Sequence, residues 1–142
     1  MYYFHFEKTM IDPAKYLAAQ EPRLRQVTEM LQAKDVRTPT FVTGLAGSFK
    51  SVFVAMLHKL VGRQTLVVAT DADSAMKMRD DLQTCLGLNR VRLFGKEHQR
   101  NSTTGEEPPL SYIDALRFLD EDRVALVVCD PNSLSKIGRA HV

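Results

Sequence analysis

The chain has 142 residues, 44% hydrophobic and 25% charged, which fits one soluble globular domain with a proper core. The formal net charge of +2 is too small to argue by itself for a nucleic-acid or membrane partner. No stretch reaches the length of a membrane span, and the start MYYFHFEKTM lacks the features of a secretory signal. We therefore expect a cytoplasmic protein.

The cysteines and histidines predict no metal or redox centre. Cys85 and Cys129 stand in apolar stretches and form no CxxC pair, so we expect two buried, reduced thiols rather than a disulfide. His5, His58 and His98 lack the spacing of metal ligands. His58 lies on an apolar helix, where a hydrogen-bonded packing residue is more common than a ligand.

The last six residues, IGRAHV, match one reading frame of a common sequencing adapter, which would also supply the end of the Lys136 codon. The alternative is an ordinary carboxyl terminus. We expect residues 137–142 not to be natural protein and the natural sequence to be cut near Ser135. His141 then carries no meaning, and these residues are left out of fold prediction.

Residues 1–37 are predicted to form a helical lead-in. Asp12 followed by Pro13 is a helix start, and the helical pattern runs from residue 12 to residue 34. Pro22 is expected to break this helix and restart it.

The next elements alternate between strand and helix. TPTFVTG (38–44) predicts a short apolar strand, and KSVFVAMLHKLV (50–61) an apolar helix that Gly62 ends. QTLVVAT (64–70) is rich in β-branched residues, which is typical of a strand buried on both faces. An amphipathic helix follows over residues 71–87, with Asp73 or Ser74 as its cap and an apolar side made by Ala75, Met78, Leu82 and Leu86.

The last third repeats this alternation. RVRLF (90–94) predicts a short strand, and the polar, turn-rich residues 95–110 a loop. SYIDALRFLD (111–120) predicts a helix capped by Ser111. RVALVVCD (123–130) predicts a second strand of the buried type.

Alternating helices and apolar strands predict an α/β fold, a parallel sheet with helices on both faces, over residues 38–136. If the natural sequence is cut, the sheet is incomplete and leaves a free edge, and the isolated chain should be poorly soluble.

The stretch FVTGLAGSFKSV (41–52) is close to a phosphate-binding loop. Such a loop needs Gly, four residues, Gly, Lys and then Ser or Thr, and it stands between a strand and a helix. Gly44, Gly47, Lys50 and Ser51 are in register, but Phe49 occupies the place of the second required glycine.

Two interpretations of this loop remain open. In a working loop, backbone N–H groups and the lysine hold phosphate, and the Ser51 hydroxyl would hold magnesium. A benzyl group at Phe49 would fill the pocket or force a different path. The alternative is a structural strand-to-helix turn in which Lys50 is a solvated lysine at a helix start.

Other candidate residues also have two interpretations. Hydrolysis would need an acid at a strand end, and Asp130 or Asp71 could supply it. Asp130 could instead begin a turn with Pro131, and Asp71 could be a helix-entry carboxylate. A basic cluster beside VRLF could contact a phosphate backbone or be a solvated face; its members are Arg90, Arg92, Lys96 and Arg100.

The ordered motifs resemble a known family. VTGLAGSFKS, TLVVATDADSAMKMRDDLQTCLG, VRLF, SYIDALRFL and VALVVCDPNSL together resemble the amino-terminal module of the bacterial transcription-repair coupling factors (Mfd), which is similar to the first domain of UvrB. The resemblance covers residues 10–135. It implies a RecA-like fold of the P-loop NTPase and helicase type.

The resemblance also assigns the candidate residues. It implies a vestigial nucleotide-binding loop at Gly44, Gly47, Phe49, Lys50 and Ser51, although family loops commonly read GLTGSARA and this chain keeps Lys50 and Ser51. VVCDPNSL stands where helicases have the TPxxL element that touches the nucleic-acid backbone. The residues that fall on this element are Asp130, Pro131 and Leu134.

The function implied by the resemblance belongs to a larger protein. The whole family protein is an ATP-dependent translocase that displaces stalled RNA polymerase from double-stranded DNA and recruits UvrA. This chain would be a non-catalytic scaffold with no cofactor of its own, supporting a UvrA-binding surface in the next domain; ATP and magnesium would act in domains further on. The alternatives are an ATP-binding lobe of the UvrB type and a plain α/β partner-binding domain.

Overall fold

The computed structural model describes residues 19–33, 39–95 and 110–140, without the side chains of Leu110 and residues 136–140. The helices are α1 (Pro22–Gln32), α2 (Phe49–Val61), α3 (Ala72–Leu86), α4 (Leu110–Glu121) and α5 (Pro131–Ala140). The strands are β1 (Thr65–Val68), β2 (Val91–Phe94) and β3 (Leu126–Cys129). A 3₁₀ turn at Leu88–Arg90 joins α3 to β2.

The strands form one parallel sheet in the order β1-β3-β2. The last strand in the chain therefore lies in the middle, with Val127 opposite Leu66 on one side and Arg92 on the other. Parallel neighbours need crossover connections, and α3 and α4 provide them. This confirms the predicted α/β class and parallel sheet.

Helices cover both faces of the sheet, as predicted. We call first face the side covered by α2 and α3, with a core of Ala55, Ala75, Leu82, Val91, Leu93, Leu126 and Val128. The second face is the side covered by α4, with a core of Phe94, Tyr112, Ala115, Val127 and Cys129. The helix α1 packs outside α2 through Leu24 and Met56.

The predicted strand at 38–44 is wrong for the residues that the structure describes there. Residues 39–46 have no regular secondary structure, and Phe41 is 90% exposed. A short apolar run becomes a strand only when a neighbouring strand pairs with it, and residues 39–46 pair with none of β1, β2 and β3.

The two strands predicted to be buried on both faces differ. All four residues of β3 are buried, which confirms the prediction for the central strand. In β1 the residues alternate, and Leu66 and Val68 are each 49% exposed on the second face. The prediction for β1 is wrong because this strand lies at the edge of the sheet and α4 lies over the other two strands.

The helix boundaries confirm some predicted caps and correct others. Pro22 does restart a helix, after Glu21 leaves the helical conformation. The cap of α3 is Asp71, whose Oδ1 accepts a hydrogen bond from Ser74 N–H at 2.7 Å, and not Asp73 or Ser74. Ser111 is not a cap either, because α4 already begins at Leu110.

The two cysteines differ in burial. Cys129 is buried in the central strand, and this burial raises the pKa of its thiol, with a smaller contribution from the charge of Asp130. Cys85 is exposed, so its predicted burial is wrong, although both thiols are free as expected. Cys85 lies on the side of α3 that faces solvent. The apolar residues near it in sequence predicted burial because they do not show which side of the helix it occupies.

Several predictions lie outside the described residues. They concern the helix start at Asp12 and Pro13, most of the loop 95–110, and residues 141–142. Within the described ranges, no helix is both long and apolar enough to cross a membrane.

His58 joins α2 to the start of β1. It is 8% exposed, and its Nδ1 lies 2.7 Å from Thr65 Oγ1. Burial lowers the pKa of His58 below its ordinary value of 6.5, and the charge of Arg90 acts in the same direction. A backbone hydrogen bond with Val124 and the charge of Asp122 oppose this shift. The folded chain therefore favours the neutral imidazole, as expected of a packing residue.

We expect the free energy of unfolding to fall as the pH drops below the ordinary His58 pKa of 6.5. Below this pH the unfolded chain binds a proton on His58 that the folded chain binds only at lower pH. The stabilisation linked to His58 is therefore complete above pH 6.5 and is lost as the pH falls toward the lower pKa of the folded chain. Urea denaturation at a series of pH values between about 7.5 and 5 measures this pH dependence of the free energy of unfolding. The pH range lies above that in which carboxylates titrate.

His58→Gln should flatten this pH dependence, whatever its effect on absolute stability. Lys59→Gln is the matched control, because it changes an exposed neighbour on α2 and leaves the His58 imidazole in place. An equal pH slope in His58→Gln and in the unchanged chain would contradict the assignment.

Candidate functional site

The loop before α2 contains the glycines that the sequence singled out. Gly44 and Gly47 have positive φ angles of 83° and 54°, a region that glycine enters without the steric cost of a side chain. Ser48 is the residue before the helix and makes no side-chain cap. Phe49 is the first residue of α2, and its side chain is 51% exposed.

The backbone N–H groups at the start of α2 already have partners. Phe49 N–H donates to Ala46 O at 3.2 Å, and Lys50 N–H donates to Gly47 O at 3.4 Å. Ser51 N–H donates to Ser48 O at 3.1 Å. In a phosphate-binding loop, such N–H groups point at the ligand instead. Here they close tight turns within the loop.

The Ser51 side chain faces away from the loop and toward α3. Ser51 is 3% exposed, and its hydroxyl donates to Asp81 Oδ2 at 2.9 Å. Met78 Sδ lies 3.2 Å from Ser51 Oγ. The hydroxyl that would hold magnesium in a working loop thus joins two helices on the first face, whereas the preceding Lys50 is exposed.

Asp130 lies at the carboxyl end of the central strand and is 4% exposed. Its Oδ1 accepts a 2.6 Å hydrogen bond from Ser133 Oγ, and its Oδ2 accepts one of 3.3 Å from Ser133 N–H. This is the geometry of a helix cap, and Pro131 fills the first position of α5. The interpretation of Asp130 and Pro131 as only the beginning of a turn is therefore wrong.

Sequence reasoning missed α5 altogether. The signal was present, because an Asp followed by Pro is a helix start in the same sense as Asp12 and Pro13. Ser133 was also missed, although it is 5% exposed and bonds both Asp130 and Tyr112. The bond to Asp130 is local, but the burial of Ser133 also depends on Tyr112 of α4, which is 21 residues away in sequence.

A short chain of hydrogen bonds runs from Asp130 into the second face. Tyr112 Oη lies 3.2 Å from Ser133 Oγ. Since Ser133 donates its proton to Asp130, Tyr112 is the donor to Ser133. The Tyr112 ring packs edge-on against Phe94 with centroids 4.3 Å apart. The polar groups of this network therefore hold α4 and α5 against the end of the sheet.

Leu134 and the adjoining α4 complete this end of the sheet. Leu134 is partly buried and packs against the second-face core. Ser111 Oγ donates to Gly95 O at 2.8 Å, which ties the first turn of α4 to the end of β2. In open α/β sheets, ligands bind outside the carboxyl ends of the strands, so this end of the sheet is the place to look for a site.

Of the basic cluster beside VRLF, the structure describes Arg90 and Arg92. Arg90 is exposed. Arg92 pairs with Asp114 at 3.0 Å, and its guanidinium lies 4.6 Å from the centre of the Phe118 ring. Arg92 therefore holds α4 against β2, an interaction within the fold. Lys96 and Arg100 lie outside the described residues.

The two candidate regions, the loop before α2 and the residues at the end of β3, bond to different parts of the fold. The loop residues bond within the loop and, through Ser51, to α3 on the first face. Asp130 bonds to the start of α5, and Leu134 packs on the second face. Among the described residues, no group of three or more His, Cys, Asp or Glu side chains is placed to hold a metal ion.

We expect Asp130→Ala to lower the free energy of unfolding by about 1–3 kcal/mol, because it removes a helix cap and leaves buried donors without an acceptor. Asp130→Asn should lose less, since asparagine keeps an acceptor oxygen and is a good cap. Urea denaturation of both variants measures the difference. Equal stability of Asp130→Ala and the unchanged chain would contradict the capping role.

Comparisons with known proteins find no relative for this chain. It matches none of the protein families against which it was scanned, and searches of curated proteins and of solved structures also find no match.

Proposed function

We propose that the chain is the amino-terminal, non-catalytic part of a UvrB-like module in a transcription-repair coupling factor. The proposal starts from the resemblance of its ordered motifs to that family. The parallel sheet with helices on both faces fits a partial RecA-like fold of the P-loop type. In this proposal the chain supports a UvrA-binding surface in the adjoining domain, and further domains contact RNA polymerase and double-stranded DNA.

One observation carries the non-catalytic part of the proposal. The Ser51 hydroxyl bonds to Asp81 and is buried between α2 and α3, so the group that would hold magnesium in a working loop already has a partner within the fold. The N–H groups of Phe49 and Lys50 also close turns within the loop. A loop that lost its nucleotide would keep this shape because its groups stabilise the fold.

The alternative is an ATP-binding lobe of the UvrB type, and one observation favours it. Lys50 is exposed at the start of α2, next to the glycine-rich turn, where a lysine of a working phosphate loop would stand. Binding would require the turn at 46–51 to open and Ser51 to leave Asp81. A direct binding measurement separates the two proposals.

We expect no saturable binding of a fluorescent ATP analogue with magnesium, up to about 1 mM. Lys50→Ala should behave like the unchanged chain, and Phe49→Gly, which completes the loop pattern, should still not bind because Ser51 stays bonded to Asp81. Saturable micromolar binding that Lys50→Ala abolishes and Lys59→Ala preserves would establish the alternative. Lys59 is the matched control because it is an exposed lysine on the same helix.

The repair role has a separate test. We expect the gene, read past the codon for Lys136, to encode a motor-type phosphate loop hundreds of residues further on. The longer protein should bind purified UvrA, whereas the 142-residue chain should not, because the proposed UvrA surface lies in the next domain. A gene with no downstream motor, or a longer protein that ignores UvrA, would contradict the proposal.

A further inference from the structure

The outer edge of β1 has unpaired backbone groups. Thr65 N–H donates to Ala125 O at 2.9 Å, and Ala69 N–H donates to Cys129 O at 2.8 Å. Along a strand of a parallel sheet, successive residues direct their N–H and C=O groups to opposite sides. Since Thr65 and Ala69 bond toward β3, Leu66 and Val68 direct their N–H and C=O groups away from it. Within the described residues, β1 pairs with β3 alone.

The side chains of the same two residues are also uncovered. Leu66 and Val68 lie on the second face, beside Val127 and Cys129, and each is 49% exposed. An edge that offers both free backbone groups and apolar side chains is a template for a further strand.

The segment just before α2 has the composition of such a strand. Residues 40–43, TFVT, are two β-branched threonines around Phe41 and Val42. They have no regular secondary structure, and Phe41 and Val42 are 90% and 41% exposed. The sequence predicted a strand here, and the structure leaves its apolar side chains uncovered.

The chain topology says on which side of β1 this strand would lie. The connection from β1 to β2 passes through α3 on the first face, and such crossovers are almost always right-handed. The helix α2 packs on the same face and leads into β1. A strand before α2 would be joined to β1 by a second crossover on the same face. For this crossover to be right-handed as well, the strand must lie beyond β1, on the side away from β3. That side is the free edge.

We propose that residues 40–43 dock on the free edge of β1 as a fourth parallel strand, in a second arrangement of this segment. Since strand side chains alternate, docking would place one of Phe41 and Val42 on the first face and the other beside Leu66 and Val68. Residues 44–48, with the glycine-rich turn, would then connect the strand to α2, a normal length for such a connection. This inference does not depend on the proposed function.

Amide hydrogen exchange followed by NMR tests the docking directly. If the strand docks, the amide of Leu66, Val68 or both should exchange at least about tenfold more slowly than in an unstructured chain, as buried ladder amides do. The amides of Thr65 and Ala69 are internal controls, because they bond to β3 in either arrangement. Fast exchange of both Leu66 and Val68 beside protected controls would overturn the proposal.

Proline variants identify the occupant. Successive residues of a strand point their N–H groups in opposite directions, so one of Phe41→Pro and Val42→Pro must remove a bond to β1. That variant should restore fast exchange at Leu66 and Val68 while Thr65 and Ala69 stay protected. Protection that persists in both variants would overturn the proposal, and sedimentation would then show whether a second copy of the chain covers the edge.

Discussion

The burial of β3 between two layers of helices is the constraint on which the rest of the structure depends. Its residues Leu126 to Cys129 are 0 to 1% exposed, so none of their backbone groups can bond to water. They must pair with strands on both sides, and β1 and β2 meet that need without ever pairing with each other. The sheet therefore cannot form before the last strand of the chain is in place, and its contacts are long-range in sequence.

The end of β3 also organises the layers above it. Asp130 caps α5, and Ser133, to which it bonds, also bonds to Tyr112 on α4. On the other face, Ser51 plays a comparable part between α2 and α3 through Asp81. Two residues that the sequence suggested for a ligand thus have partners within the chain. A polar group buried between elements must have a partner, and the partner is often distant in sequence.

The predictions succeeded where the signal is local. Periodic apolar residues located the helices, Pro22 and Gly62 marked helix boundaries, and short apolar runs located the described strands. The same reasoning could have found α5 from Asp130 and Pro131. Local patterns failed for Cys85, because nothing in the neighbouring letters states which side of a helix meets solvent.

The loop at 44–51 separates what the sequence determined from what tertiary structure decided. The sequence by itself determined glycines in the turn before α2, a helix predicted from Lys50 that begins at Phe49, and the alternation that makes an α/β fold. Only the tertiary structure decided that β3 inserts between β1 and β2, that Leu66 and Val68 lie uncovered at an edge, and that Ser51 faces Asp81. Backbone preferences act between near neighbours, whereas strand order, edge exposure and the partner of a buried hydroxyl depend on segments tens of residues away.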